Sequence, residues 1–299
     1  MFAGLARESH PRRGMTLRRG ARLDPGQIRD LRGRRAGGIA VGGGLGGVLL
    51  VALFLLLGGN PQEVPLDALA GERVGAGQGT EVVEECRTVD DPNTRRDCRI
   101  VGYVNSVQEY WTDTLGDRYA EAETTFFEGS VSTQCGTATS AVGPFYCPVD
   151  ASVYIDLGFY DQLESQFGAE GGVLAEAYVI AHEYGHHVQN LLGVLQPGGG
   201  GAGAESQAVR TELQADCYAG AWAANGVETD YLEPLSREQV GQALSAAEAV
   251  GDDRIQERTQ GQVNPETWTH GSSEQRQEWF LVGLESGDPG RCDTFEADL

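Results

Sequence analysis

The sequence predicts an α+β fold: a mainly helical domain with a small β-sheet, preceded by one transmembrane helix. Long Ala-, Leu- and Val-rich runs in the second half indicate helices. Short β-rich runs set among Gly and Pro in the first half indicate strands. An uncharged, Gly-rich apolar stretch near the N-terminus is typical of a membrane span. With 299 residues and 40% hydrophobic content, the chain can form a sizeable core.

Charge divides the chain into parts. Residues 1–36 contain 10 Arg and three acidic residues, and residues 37–59 carry no charge. At about 1.5 Å per residue, this uncharged stretch is long enough to cross a bilayer core of roughly 30 Å. The positive-inside rule then predicts a single-pass protein of the cell membrane with a cytoplasmic N-terminus. A cleaved signal peptide is the alternative, but its charged region would be unusually long. We therefore expect a linker at 60–80 and an extracytoplasmic domain at 81–299.

The main domain is strongly acidic. Residues 60–299 contain 12 Arg and 41 acidic residues, and the whole chain has a net charge of −22 and no Lys. Such a surface repels phosphate backbones. The composition therefore excludes nucleic acid as a partner of the main domain.

All six cysteines follow the apolar stretch, as expected of an exported domain. An even number predicts three disulfides, for which six cysteines allow 15 connectivities. Local closure favours Cys86–Cys98 and Cys135–Cys147, which leaves Cys217–Cys292 as a long-range bond. A zinc site made of cysteines is the competing interpretation, but the chain contains no C-x-x-C pair.

Local patterns place the main elements. Apolar spacing predicts a helix over 98–115, and β-rich runs predict strands at 124–127 and 152–157. Helices are predicted over 173–192, ending at a glycine, and over 205–224. Two further helices begin at the capping-box patterns Ser236-x-x-Gln239 and Ser272-x-x-Gln275.

Three of the five histidines lie together in an H-E-x-x-H pattern. His182 and His186 are four residues apart on a predicted helix, so both imidazoles project from one face and can bind a single Zn²⁺. Glu183 lies on the adjacent strip, where its carboxylate can act as general base toward a water held by the metal. The alternative is a chance match on an ordinary amphipathic helix. We expect His187, rotated by about 100° from its neighbour, to be exposed or to support the ligands.

A catalytic zinc needs a third protein ligand. The histidine of an extended H-E-x-x-H-x-x-G-x-x-H pattern is absent, because Leu192 stands at that position. Downstream, Glu212 and Asp216 share one face of the predicted 205–224 helix. We expect Glu212 to bind the metal and Asp216 to hydrogen-bond a ring N–H of a ligand histidine. The alternative is a solvated acidic face.

The longer stretches carry a family resemblance. Residues 181–189 (AHEYGHHVQ), 212–220 (ELQADCYAG), 251–254 (GDDR) and 269–276 (THGSSEQR) resemble the family described as putative neutral zinc metallopeptidases. The glutamate-zincin pattern of the first two stretches implies a zincin-like metallopeptidase domain with Zn²⁺ as cofactor. The resemblance spans roughly residues 80–299. It also implies a bacterial protein, many relatives of which carry a Gly-rich membrane segment.

Hydrolysis at zinc needs a second donor for the developing oxyanion. His270 is the catalytic candidate, with Tyr178, Tyr184 and Tyr218 as alternatives. His270 is otherwise an ordinary loop residue beside the helix that begins near Ser272.

We therefore expect a membrane-anchored zinc metallopeptidase that hydrolyses peptide or protein substrates outside the cytoplasm, with Glu183 as base. A non-catalytic envelope scaffold with a retained zinc site is the rival interpretation. A zinc hydrolase acting on other carbonyl substrates is a third.

Overall fold

The computed structural model describes residues 17–33, 85–87, 91–195 and 200–299. The predicted membrane span at 37–59 and the predicted linker at 60–80 lie outside these residues. Within them the architecture is mixed α and β with small sheets, as predicted.

The described strands form one sheet and one hairpin. Their bounds are β1 (Ile28–Asp30), β2 (Glu123–Phe127), β3 (Ser130–Thr133), β4 (Gly136–Thr139), β5 (Phe145–Cys147) and β6 (Ser152–Asp156). The sheet has the order β1-β2-β6-β5. Its first three strands are parallel, and β5 joins β6 in the antiparallel sense. β3 and β4 form the hairpin.

Helices dominate the second half of the chain, as the sequence predicts. The described helices are α1 (Arg96–Leu115), α2 (Phe159–Ser165), α3 (Val173–Leu191), α4 (Gln207–Asn225), α5 (Arg237–Ala249), α6 (Asp252–Gln260) and α7 (Ser273–Ser286). Both capping boxes are present, because the Ser236 and Ser272 side chains accept from backbone N–H groups that open α5 and α7. α3 ends where predicted, and Gly193 follows it with a left-handed φ of 74°.

Close helix contacts position the elements that carry the histidines. α3 crosses α4 at Gly185, where a Cβ would lie 3.0 Å from the Cα of Ala215. α4 and α7 approach even more closely, because a Cβ on Gly220 would lie 2.0 Å from the carbonyl oxygen of Phe280. Glycine at these positions therefore allows three helices to meet at the level of the H-E-x-x-H motif.

All three predicted disulfides are present. Cys86–Cys98 and Cys135–Cys147 each span 12 residues, and Cys217–Cys292 spans 75. The long-range bond joins α4 to the residues after α7. It therefore connects the C-terminal region to the helix that carries Glu212.

The predicted single-pass membrane localisation is wrong. Within the described residues, none of the helices is both long and apolar enough to cross a membrane. The predicted topology also puts 1–36 and 81–299 on opposite sides of a bilayer. Instead, β1 pairs with β2 in one sheet, and Leu17, 1% exposed, packs in the core formed by the main domain. The contrast between the basic residues 1–36 and the acidic main domain suggested opposite sides of a membrane, but charge alone does not show which segments pack together.

Candidate metal centre

Two helices bring three candidate ligands together. His182 and His186 project from α3, and Glu212 faces them from α4. Nε2 of His182 lies 3.2 Å from one Glu212 carboxylate oxygen, and Nε2 of His186 lies 3.5 Å from the other. Ligand atoms of the three residues all lie within 4.8 Å of one another. This juxtaposition agrees with the ligand set predicted from the helical spacing.

Asp216 fixes the tautomer of His182. Its Oδ1 lies 2.8 Å from Nδ1 of His182, and a carboxylate can only accept, so Nδ1 carries the proton. In the neutral ring, the lone pair of His182 is therefore on Nε2, which faces Glu212. This is the contact predicted for Asp216 from its spacing to Glu212.

A different group fixes His186. Gln189 donates through Nε2 to the Thr211 carbonyl and to Oε1 of Gln214, so its own Oε1 is the acceptor for Nδ1 of His186 at 2.9 Å. Gln214 donates in turn to the carbonyl of Cys292. His186 therefore also presents its Nε2 lone pair to Glu212.

The donor set fits a cation. Two imidazole lone pairs and a carboxylate converge, which is the nitrogen and oxygen set that zinc accepts. Burial alone lowers the pKa of His182, yet Asp216 and Glu212 raise it to about 10. Burial likewise opposes ionisation of Glu212, but the two imidazoles hold its pKa well below the ordinary value. The centre thus stabilises positive charge at the position between these three side chains.

Glu183 is buried beside the three ligands. It is 8% exposed, and burial raises its pKa against the lowering effect of the two histidines. The described residues offer its side chain neither a hydrogen bond nor an ion pair. A buried carboxylate with a raised pKa is suited to accept a proton.

His270 is held by a buried aspartate at the N-terminus of α6. Oδ2 of Asp252 accepts from the backbone N–H groups of Thr269, His270 and Gly271, and Oδ1 lies 3.2 Å from Nδ1 of His270. The described residues give Nε2 of His270 no hydrogen-bond partner. Burial lowers the pKa of His270, but Asp252 and the nearby charge of Glu212 raise it. His270 is therefore a fixed, half-exposed ring on the Glu212 side of the centre, and its Nε2 is a donor in the protonated form that the raised pKa favours.

Two of the three alternative tyrosines have hydroxyls that hydrogen-bond elsewhere. The Tyr178 hydroxyl donates to Asp216, and the Tyr184 hydroxyl bonds with Thr124 on the sheet. Tyr218 is buried edge-on against an aromatic side chain of α1. Among the four candidates, His270 lies on the Glu212 side of the centre with its ring held by Asp252.

His187 does not join the ligands and is not exposed. Its Nε2 donates to the carbonyl of Ala120, so its Nδ1 accepts from the Tyr146 hydroxyl. Asn190 donates to the same hydroxyl. His187 therefore anchors α3 to β5 and to the segment before β2.

A cavity of about 250 Å³ opens beside the metal centre. His186 and Glu212 line one side of it, and Tyr146, Ala208 and Thr211 contribute to the remainder. Space next to two ligands is what a catalytic site requires, since a closed structural site has no room for substrate.

Comparison with known proteins agrees with this geometry. The sequence profile of the family described as putative neutral zinc metallopeptidase matches residues 17–295. The chain belongs to this family. An uncharacterized protein of Mycobacterium tuberculosis, Rv2575, is 52% identical over 251 residues, covering 81% of this chain and 85% of that protein. The uncharacterized protein YpfJ of Escherichia coli K12 is 37% identical over 291 residues, covering 92% and 97%. No solved structure matches the chain.

The metallopeptidase family match also extends to residues 17–33, which sequence analysis assigned to a separate cytoplasmic segment. Three polar residues of the centre were not predicted individually, namely Gln189, Asp252 and Arg276. Each of them stands inside a stretch that carried the family resemblance. Only Gln189 had a local signal, because it lies three residues after His186 on one helix face.

Proposed function

We propose that this protein is a zinc-dependent metallopeptidase that hydrolyses peptide bonds, with Glu183 as general base. The observation that carries the proposal is the buried carboxylate of Glu183, which has no hydrogen-bond partner among the described residues and lies beside three convergent ligands. A metal site kept only for structure or scaffolding has no use for such a group. The family assignment and the adjacent cavity support the same reaction class.

His182, His186 and Glu212 would hold the zinc. When bound there, zinc supplies Lewis acidity, which polarises a carbonyl and lowers the pKa of a coordinated water. Asp216 and Gln189 keep both Nδ1 protons directed away from the ligand position. Neither ring therefore has to turn when the ion takes the place of a proton at Nε2.

Glu183 and His270 would move protons and stabilise charge. Glu183 takes a proton from the attacking water and returns it to the leaving amine, which keeps the proton count balanced. Nε2 of His270 donates to the carbonyl oxygen as it becomes negative, while Asp252 keeps the ring in place. The cavity beside His186 would receive the part of a peptide next to the cleaved bond.

The first prediction separates the base from the ligands. Glu183→Gln keeps the shape of the side chain but cannot accept a proton, so turnover should fall by about 10²- to 10⁴-fold with zinc retained. Glu212→Gln removes an anionic ligand and should lose zinc as well as activity. Zinc content by atomic absorption and hydrolysis of a diverse peptide mixture, with and without chelator, measure both properties.

Glu205→Gln is the matched control, because Glu205 is exposed just before α4. It should retain zinc and turnover. A Glu183→Gln protein that hydrolyses peptides at the parent rate would exclude Glu183 as base. A parent protein that binds zinc but cleaves nothing in the mixture would favour the scaffold interpretation.

A further inference from the structure

Asp216 is a fully buried carboxylate behind His182. It is 0% exposed, and its Oδ1 accepts from Nδ1 of His182 at 2.8 Å and from the Tyr178 hydroxyl at 2.5 Å. Burying an isolated carboxylate is costly, and such a group normally takes up a proton unless a cation compensates it. A protonated or rotated Asp216 would no longer hold His182 in one tautomer.

Arg276 of α7 supplies that cation. Its Nε donates to Oδ2 of Asp216 at 2.8 Å, and its Nη2 donates to Oδ1 at 3.0 Å. Nη2 also reaches the Tyr178 hydroxyl at 3.2 Å, and Nη1 lies 3.3 Å from the carbonyl of Val250. Arg276 is 3% exposed, and its guanidinium donates to acceptors on three sides. Two parallel bonds from a planar group set the plane of the carboxylate as well as its charge.

We propose that Arg276 is a positioning residue of the metal centre: its two-point contact fixes Asp216, which orients His182 so that Nε2 faces Glu212. The proposal rests on the zinc site proposed above. Nη2 of Arg276 also lies 3.4 Å from Nδ1 of His182, but that nitrogen carries the proton donated to Asp216, so Arg276 acts on the ring through Asp216. A lysine would supply the charge but only one point of contact. The role thus requires arginine and not merely a cation.

The helix packing explains how a residue 60 positions away reaches Asp216. Gly220 follows Asp216 by one turn on α4, and Phe280 follows Arg276 by one turn on α7. The Cβ that glycine lacks at 220 would lie 2.0 Å from the Phe280 carbonyl oxygen. This close approach of the two helix backbones brings the Arg276 guanidinium within hydrogen-bond distance of the Asp216 carboxylate.

The test is zinc affinity, measured by competition with a chromogenic chelator, in the full chain. Arg276→Met should weaken zinc binding by about 10- to 100-fold, and Arg276→Lys should recover only part of the loss. The absorption spectrum of the Co²⁺-loaded protein should change in both variants, because the orientation of His182 changes. Arg237→Met removes an exposed arginine from α5 and should change neither readout.

A double-mutant cycle identifies the route of the effect. In an Asp216→Asn background, Arg276→Met should weaken zinc binding by less than about threefold further, because its target is already altered. The proposal would be overturned if the losses of zinc affinity in Arg276→Met and Asp216→Asn add up in the double variant. It would also be overturned if Arg276→Met kept the zinc affinity and the Co²⁺ spectrum of the parent protein. If Arg276→Met does not fold, parent-like affinity and spectrum in Arg276→Lys would overturn it. A parent chain that binds no zinc would overturn the proposed function and this role together, whereas failure of the cycle alone overturns only the role.

Discussion

The two imidazoles have different hydrogen-bond partners at Nδ1. His182 is backed by the ionised Asp216, whereas His186 is backed by the neutral amide of Gln189. An anionic partner makes an imidazole a stronger electron donor than a neutral partner does. The two ligands therefore differ in basicity, although their places in the H-E-x-x-H motif look alike.

At this scale we predict that His270 affects turnover and not metal binding. His270→Ala removes the proposed oxyanion donor, so turnover should fall by about 10²-fold while zinc content stays at the parent level. Asp252→Asn should have a smaller effect, because the ring remains but its orientation is less defined. Steady-state hydrolysis beside atomic absorption checks both variants. Tyr218→Phe is the control, and a loss in that variant equal to that of His270→Ala would contradict the assignment.

The sequence located the residues that follow helical periodicity. His182, Glu183 and His186 share one helix, and Glu212 and Asp216 share another, so spacing alone placed each group on a face. Arg276 and Asp252 reach their partners across 60 and 18 residues through tertiary packing. Helical spacing relates only residues that are a few positions apart, so it could not predict contacts between residues this distant in sequence. Arg276 and Asp252 therefore appeared only within the stretches that resemble the family.

Among the elements, α4 and α7 form the closest pair around the site. A Cβ at Gly283 would lie 1.9 Å from the carbonyl oxygen of Cys217, and the Cys217–Cys292 disulfide joins the same regions covalently. Because the atoms in contact belong to the backbone, rotation of a side chain cannot relieve the steric clash of a larger residue at Gly283. The distance between these helices in turn sets the contact between Arg276 and Asp216.

Gly283→Ala should therefore lower the free energy of unfolding by about 1–3 kcal/mol, as overpacking does, and should also weaken zinc binding. Gly241→Ala in α5 is the matched control, because open space surrounds that position. This control should raise stability by up to about 1 kcal/mol through the helix propensity of alanine. Urea unfolding and chelator competition measure the two properties. Equal stability of the two variants would contradict the close approach of α4 and α7.

At the scale of the whole molecule, residues 17–33 pack into the same core and sheet as the rest of the described domain. β1 completes the sheet, and Arg32, just after it, contacts Asp97 at the start of α1. Asp97 also accepts two bonds from Arg95 and lies beside the Cys86–Cys98 disulfide. Composition could not predict this docking, since three of the arginines that suggested a cytoplasmic segment, Arg18, Arg29 and Arg32, form ion pairs within the fold.

The last prediction concerns the pH dependence of this docking. Burial alone would raise the pKa of Asp97, but Arg95 and Arg32 hold it below its ordinary value. A lowered folded-state pKa stabilises the fold above the unfolded value of about 3.9, and this contribution is lost as the pH falls through the folded-state pKa. Asp97→Asn should therefore cost about 1–2 kcal/mol at pH 7 and progressively less as the pH falls through the folded-state pKa of Asp97.

Urea unfolding of the parent and Asp97→Asn proteins between pH 7 and about pH 2 measures this difference directly. Asp113→Asn, an exposed change on the same helix, should remain close to the parent throughout. Acid removes the ionic contacts of Asp97 in the parent protein only, so the two unfolding curves should converge as the carboxylate is protonated. A gap between them that does not narrow as the parent protein takes up the proton of Asp97 would mean that the charge of Asp97 does not stabilise the docked segment.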